Sequence, residues 1–155
     1  MYVLTKRSVI ALALSALLAS CAPPPPEQPD PTVAQVNIKA SDDANPDPTG
    51  RASPTVVLIY ALQPGAPFNI GDYDALTGGE MGDLAESMKR IARFVILPGH
   101  ETKKVFELPD GTASLGIAAA YRDVDTAKWR VQKDVTPHAV TILNAAIGSN
   151  EVTLE

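Results

Sequence analysis

A chain of 155 residues, 45% hydrophobic and 20% charged, has the makeup of one globular domain with a single core. Its formal charge of -5 argues against nucleic acid, which requires a basic face, and against an electrostatic hold on anionic lipid. A single cysteine excludes an internal disulfide, so packing alone has to stabilise the fold.

The chain opens with a short basic start, Lys6 and Arg7, followed by an apolar run from Val9 to Ala19. That run is too short to span a bilayer as a helix, which takes about 20 residues, and fits the apolar stretch of a signal peptide. Leu18-Ala19-Ser20-Cys21 then reads as a lipobox: small residues for a narrow peptidase pocket, then a thiol for a thioether-linked lipid. Residues 1–20 are expected to be cleaved, leaving Cys21 as a lipidated amino terminus. Loss of Lys6 and Arg7 takes two positive charges from -5 and leaves -7. Ala22, rather than aspartate, after the cysteine fits sorting to the outer membrane. Residues 21–32 are proline-rich and are expected to form a stiff tether, because proline fixes φ and donates no hydrogen bond.

The body, 33–155, reads as strands separated by turns. Val33 to Ala40 alternates, with Ala34, Val36, Ile38 and Ala40 on one face, as in a half-buried strand. The next stretch is polar and broken by prolines: Asp42, Asp43, Ala44, Asn45, Pro46, Asp47, Pro48, Thr49, Gly50, Arg51, Ala52, Ser53 and Pro54. It is a loop, and long loops in compact domains are often functional. Thr55 to Leu62 is apolar on both faces, as in a central strand. A helical insertion is expected at about 68–89. Phe68, Ile70, Tyr73 and Leu76 come first, and then Met81, Leu84, Ala85 and Met88 at i, i+3, i+4 and i+7. Further strands are expected at Arg90–Leu97, Thr102–Leu108, Ser114–Tyr121, Lys128–Val131, Ala139–Leu143 and Glu151–Leu154, with a hairpin tip at Pro98-Gly99-His100. The pattern is that of an all-β, two-sheet sandwich with a short helical insertion.

Chemistry is sparse. There is no nucleophile elbow, no His-Glu-x-x-His and no Cys-x-x-Cys. His100 and His138 fall in turns. Asp43, Asn45 and Asp47 alternate as in a calcium loop, but Pro48 and Pro54 stand where that loop needs glycine and glutamate. Arg122 and Arg130 are expected to pair with Asp123 or Asp125, or to stack on Tyr121 and Trp129. No catalytic residue, cofactor or metal is expected.

The ordered motifs resemble those of the TssJ family, outer-membrane lipoproteins of the type VI secretion system. They are the lipobox at Cys21, Asn45-Pro46-Asp47 through Pro54 leading into Val56–Leu62, Phe68 to Asp72-Tyr73, Met81-Gly82-Asp83-Leu84, Leu97-Pro98-Gly99, Gly116 to Asp123, and Trp129-Arg130. The resemblance implies a transthyretin-like sandwich without enzymatic activity, tethered to the outer membrane on its periplasmic face. It implies binding to the periplasmic C-terminal region of TssM, and through it to the TssL–TssM membrane complex, with Asp42 to Pro54 as the contact loop. The alternative is a periplasmic lipoprotein that binds a small ligand or cell-wall fragment.

Overall fold

The computed structural model describes residues 29–78 and 81–155; the expected signal peptide, Cys21 and most of the tether lie outside them. Eight strands form two four-stranded sheets. The first has the order β4-β1-β7-β8, from β1 (Val33–Ala40), β4 (Glu101–Glu107), β7 (Val140–Ile147) and β8 (Val152–Leu154). The second has the order β3-β2-β5-β6, from β2 (Thr55–Leu62), β3 (Met88–Ile96), β5 (Ser114–Ala120) and β6 (Arg130–Asp134). Pairing is antiparallel except between β1 and β7, which run parallel. The expected two-sheet β-sandwich is the fold observed.

The alternation in β1 buries Ala34, Val36, Ile38 and Ala40 against Val57, Ile59, Leu115, Ile117 and Ala119 of the facing sheet. β2 is apolar on both faces because both are covered. Its other face, Leu58, Tyr60 and Leu62, packs under the insertion with Phe68, Leu76 and Met88. Gly116 on β5 makes room there: a Cβ at that position would lie 2.8 Å from Cζ of Phe68. The insertion contains one short helix, α1 (Tyr73–Thr77), capped by the Asp72 carboxylate, and a 3-10 turn at Gly82–Glu86. Two hydrogen bonds and an aromatic contact add to this packing. The Tyr60 hydroxyl donates to the carbonyl of Leu76, Arg130 donates to that of Gly71, and Tyr73 stacks edge-on against Trp129 at 5.0 Å.

Two expectations need correction. The spacing of Met81, Leu84, Ala85 and Met88 does not form one amphipathic helix. The turn ends at Glu86, Ala85 is exposed and Met88 begins β3, so the helical part stops short of residue 89. Gly82, at φ 51°, starts this segment outside α geometry. The second correction is at Pro98-Gly99-His100, which is no hairpin tip. It carries the chain from β3 in one sheet to β4 in the other. Glycine is favoured at this corner by its left-handed φ of 72°; a Cβ there would also push aside the exposed Asp42 side chain, whose Oδ1 lies 2.5 Å from that position.

Candidate functional site

The segment between β1 and β2 crosses from one sheet to the other. It is fixed at its start, where the Ser41 amide donates to the carbonyl of Ile147 (2.9 Å) and the Gly99 amide to that of Ser41 (3.1 Å). Ala44 is fully buried in the core and Asn45 is only 3% exposed. Asn45 takes a left-handed conformation, φ 49°, which asparagine tolerates better than most residues. Both ends of its amide are used. Nδ2 donates to the carbonyl of Pro54 (3.1 Å), and Oδ1 accepts from the backbone amide of Arg122 (2.7 Å). The Ser53 amide donates to the carbonyl of Ala44 (3.0 Å), closing the loop at its neck.

Beyond the neck, Asp47 builds the tip. Its Oδ1 accepts from the Thr49 amide (2.9 Å), the Thr49 hydroxyl (2.6 Å) and the Arg51 amide (3.1 Å). Its Oδ2 accepts from Nε of Arg51 (3.2 Å), completing an ion pair. The Thr49 hydroxyl, then the Arg51 and Thr49 amides and the Arg51 charge, hold the Asp47 carboxyl at about 2, below its ordinary 3.8. The carboxylate is turned inward and its acceptor sites are filled by protein donors, so Asp43-Ala44-Asn45-Pro46-Asp47 is built as a turn rather than as a calcium loop. Pro48, Thr49, Gly50 and Arg51 stand exposed at the tip.

The expected binding residues thus divide into two kinds. Ala44, Asn45 and Ser53 are buried and hold the loop to the body. Asp42, Asp43, Pro48, Thr49, Gly50, Arg51 and Pro54 face solvent, with Pro46, Asp47 and Ala52 between. Polarity and prolines reveal the loop, but the part played by Asn45 depends on Arg122, 77 positions away, and no local pattern announces it. Against the loop lies a groove of about 600 Å³, walled on one side by Asn45, Pro46, Asp47 and Pro48 and on the other by Tyr121 to Asp123, Thr126, Ser149 and Asn150.

The other sequence candidates are scattered. Nδ1 of His100 lies 3.0 Å from the carbonyl of Pro98, and Nδ1 of His138 lies 2.9 Å from that of Asp30, both at exposed turns. Arg130 stacks on Trp129 at 4.4 Å, as one of the two expected arrangements has it, and the ion pairs among the described residues are Arg51–Asp47 and Lys128–Glu151. Burial, reinforced by Glu151, pushes the Tyr121 hydroxyl well above its usual range, so it stays protonated at neutral pH. Among the described residues no three His, Cys, Asp or Glu side chains gather where they could hold a metal.

The sequence profile of the family described as "Type VI secretion lipoprotein, VasD, EvfM, TssJ" matches residues 32–155. Among curated proteins no sequence match is found. The fold is similar to the crystal structure of the T6SS lipoprotein TssJ1 from Pseudomonas aeruginosa, with TM-score 0.75 and 30% identity, covering 81% of this chain and 95% of that one. It is similar to a chain of a structure described as "Type VI membrane complex", with TM-score 0.66 and 26% identity over 81% of this chain and 99% of that one. A third similarity is to a chain of a structure described as "T6SS protein TssM C-terminal domain (869-1107) from EAEC", with TM-score 0.58 and 26% identity over 80% and 98%. A profile match running from the last tether residue to the C-terminus, together with the shared sandwich, establishes that this chain belongs to the type VI secretion lipoprotein (TssJ) family.

Proposed function

We propose that this protein is a structural, non-enzymatic subunit of the type VI secretion membrane complex. Lipid on Cys21 holds it to the outer membrane, and the loop from Asp42 to Pro54 binds the periplasmic C-terminal region of TssM. One observation carries the reading: the loop is polar and exposed at its tip yet held in one shape by Asn45 and Asp47, so little ordering entropy is lost when a partner docks. Membership of a lipoprotein family supports the anchor. Two similarities support the partner, since they are to chains in structures described as the membrane complex and as the TssM C-terminal domain. The second covers nearly the whole of a chain of about sandwich size, well short of the 869–1107 span in its description.

The test follows from the division within the loop. Deleting the whole loop would remove Ala44 from the core, so the informative variant replaces only Pro48 to Arg51 with a Gly-Ser stretch. The expected outcome is loss of TssM pull-down with the melting temperature lowered only slightly, through loss of the Thr49 and Arg51 side-chain contacts to Asp47. Retained affinity would remove the loop from the interface. Cys21→Ser is expected to move the protein out of the membrane fraction and to stop secretion, because an acidic body has no other hold on lipid.

A further inference from the structure

The groove beside the loop continues the exposed tip onto a second segment of the chain. Its far wall is the β5–β6 connection, where the Tyr121 ring is buried and Arg122, Asp123 and Thr126 are exposed. This wall has its own internal brace: the Thr126 hydroxyl donates to the Asp123 carboxylate (2.8 Å), and the Ala127 amide to the Asp123 carbonyl (3.1 Å). The two walls are not independent, because the Asn45 amide spans them. It holds its own loop through Pro54 and the far wall through the backbone of Arg122. Losing that side chain would free the loop neck and leave the part-buried Arg122 amide without its acceptor.

We infer that the partner-binding surface is this two-walled groove rather than the loop alone, that Asn45 is the positioning residue setting its width, and that a partner loop carrying a basic side chain enters it to meet Asp123. The inference rests on the reading of the loop as the TssM contact. Continuity selects the place, since Pro46, Asp47 and Pro48 belong both to the loop and to the groove. Charge selects the occupant: Asp123 stands exposed on the far wall and the half-buried Asp47 on the near one, with Arg122 as the one cation of the lining, on a chain whose formal charge is -5. A basic group steered to such a rim gains mainly in association rate, and that gain falls as salt screens it.

The experiment measures binding of the full chain in detergent to the periplasmic region of TssM from the same secretion system, by surface plasmon resonance at low and high salt. Asp123→Arg and Thr126→Arg lie on the wall away from the loop and are exposed; each also breaks the Thr126–Asp123 hydrogen bond, so Thr126→Ala, which breaks it without adding bulk or charge, is the control and is expected to bind like the wild type. Each arginine variant is expected to weaken binding at least tenfold, with Asp123→Arg acting mostly on the association rate and removing much of the salt dependence. Asn45→Ala is expected to weaken binding similarly and to open residues 46–52 to protease. Wild-type affinity for Asp123→Arg and Thr126→Arg, alongside weakened binding of Pro48→Arg, would overturn the two-walled groove and leave the loop as the whole contact. Wild-type affinity for Asn45→Ala would overturn its positioning role. If the wild-type chain does not bind TssM at all, the underlying reading fails, and the groove proposal with it.

Discussion

Two long connections leave β2, one at each end, and they are held in opposite ways. The segment ahead of β2, Ser41 to Pro54, is fixed mainly by side-chain amide and carboxylate groups bonded to backbone, with Ala44 as its buried apolar anchor. The segment after it, from Gln63 to Ser87, is fixed mainly by apolar packing, with hydrogen bonds from Tyr60 and Arg130 added to it: Phe68 and Leu76 are fully buried, and Met81 and Leu84 pack around them. An apolar clamp is strong and indifferent to direction. A polar clamp is weaker, but it dictates shape bond by bond and leaves the outside of the loop free to be wet or to be touched. One segment caps a sheet; the other presents a surface. Changes in each should therefore differ in kind as well as in size.

The largest effect is expected at Phe68. Its ring lies 5.6 Å from that of Tyr60 and against Gly116, in a cluster that also covers Leu58 and Leu62. Phe68→Ala removes a fully buried aromatic from a site that cannot collapse onto a flat strand, at a cost of about 3–5 kcal/mol. Thermal unfolding should show a large drop in melting temperature, with the tip of the polar loop no more open to protease than before. A cost below about 1 kcal/mol would mean that the insertion is not clamped as described.

Asn45→Ala should come next. It breaks two hydrogen bonds and orphans the Arg122 amide, and alanine is a poor occupant of φ 49°. A cost of about 1–3 kcal/mol is expected. Unlike Phe68→Ala, it should expose the loop to protease well below the melting temperature. Asn45→Gly relieves the backbone while still losing both bonds. If it melts with the wild type, the φ angle and not the amide carries the effect.

The apolar clamp was legible in the sequence and the polar one was only half so, for a physical reason. Alternation in β1 and the two-faced run of β2 report burial directly, because a side chain's partition from water depends on its own chemistry. Phe68, Tyr73 and Leu76 announce a helix-bearing insertion in the same way. The overreach at Met88 has a simple source: the residue faces the same cluster from a strand as it would from a helix, so spacing alone does not separate the two. The sheet change at Gly99 was hidden because neither β3 nor β4 carries in its pattern the identity of its partner. The loop's polarity marked it as a loop, yet Asn45 looks like any turn asparagine until Arg122 arrives from the β5–β6 connection.

The smallest expected effect isolates the tip of the loop. The carboxyl of Asp47 is held at about 2, against an ordinary 3.8, because its charged form accepts from Thr49 and Arg51. A lowered folded value means that the stabilisation is present above the unfolded value and is lost as pH falls from about 4 through about 2. At neutral pH the tip is therefore fully braced, and only strong acid should loosen it. The amide resonances of Thr49 and Arg51, both donors to Oδ1, should shift with a midpoint near 2 while resonances around Phe68 stay still until global unfolding. In Asp47→Asn that titration should vanish, and the Thr49 amide should exchange faster at neutral pH. A midpoint close to 3.8 in the wild type would mean that the carboxylate is free in solution, and the tip would then be a flexible rim rather than a preformed surface.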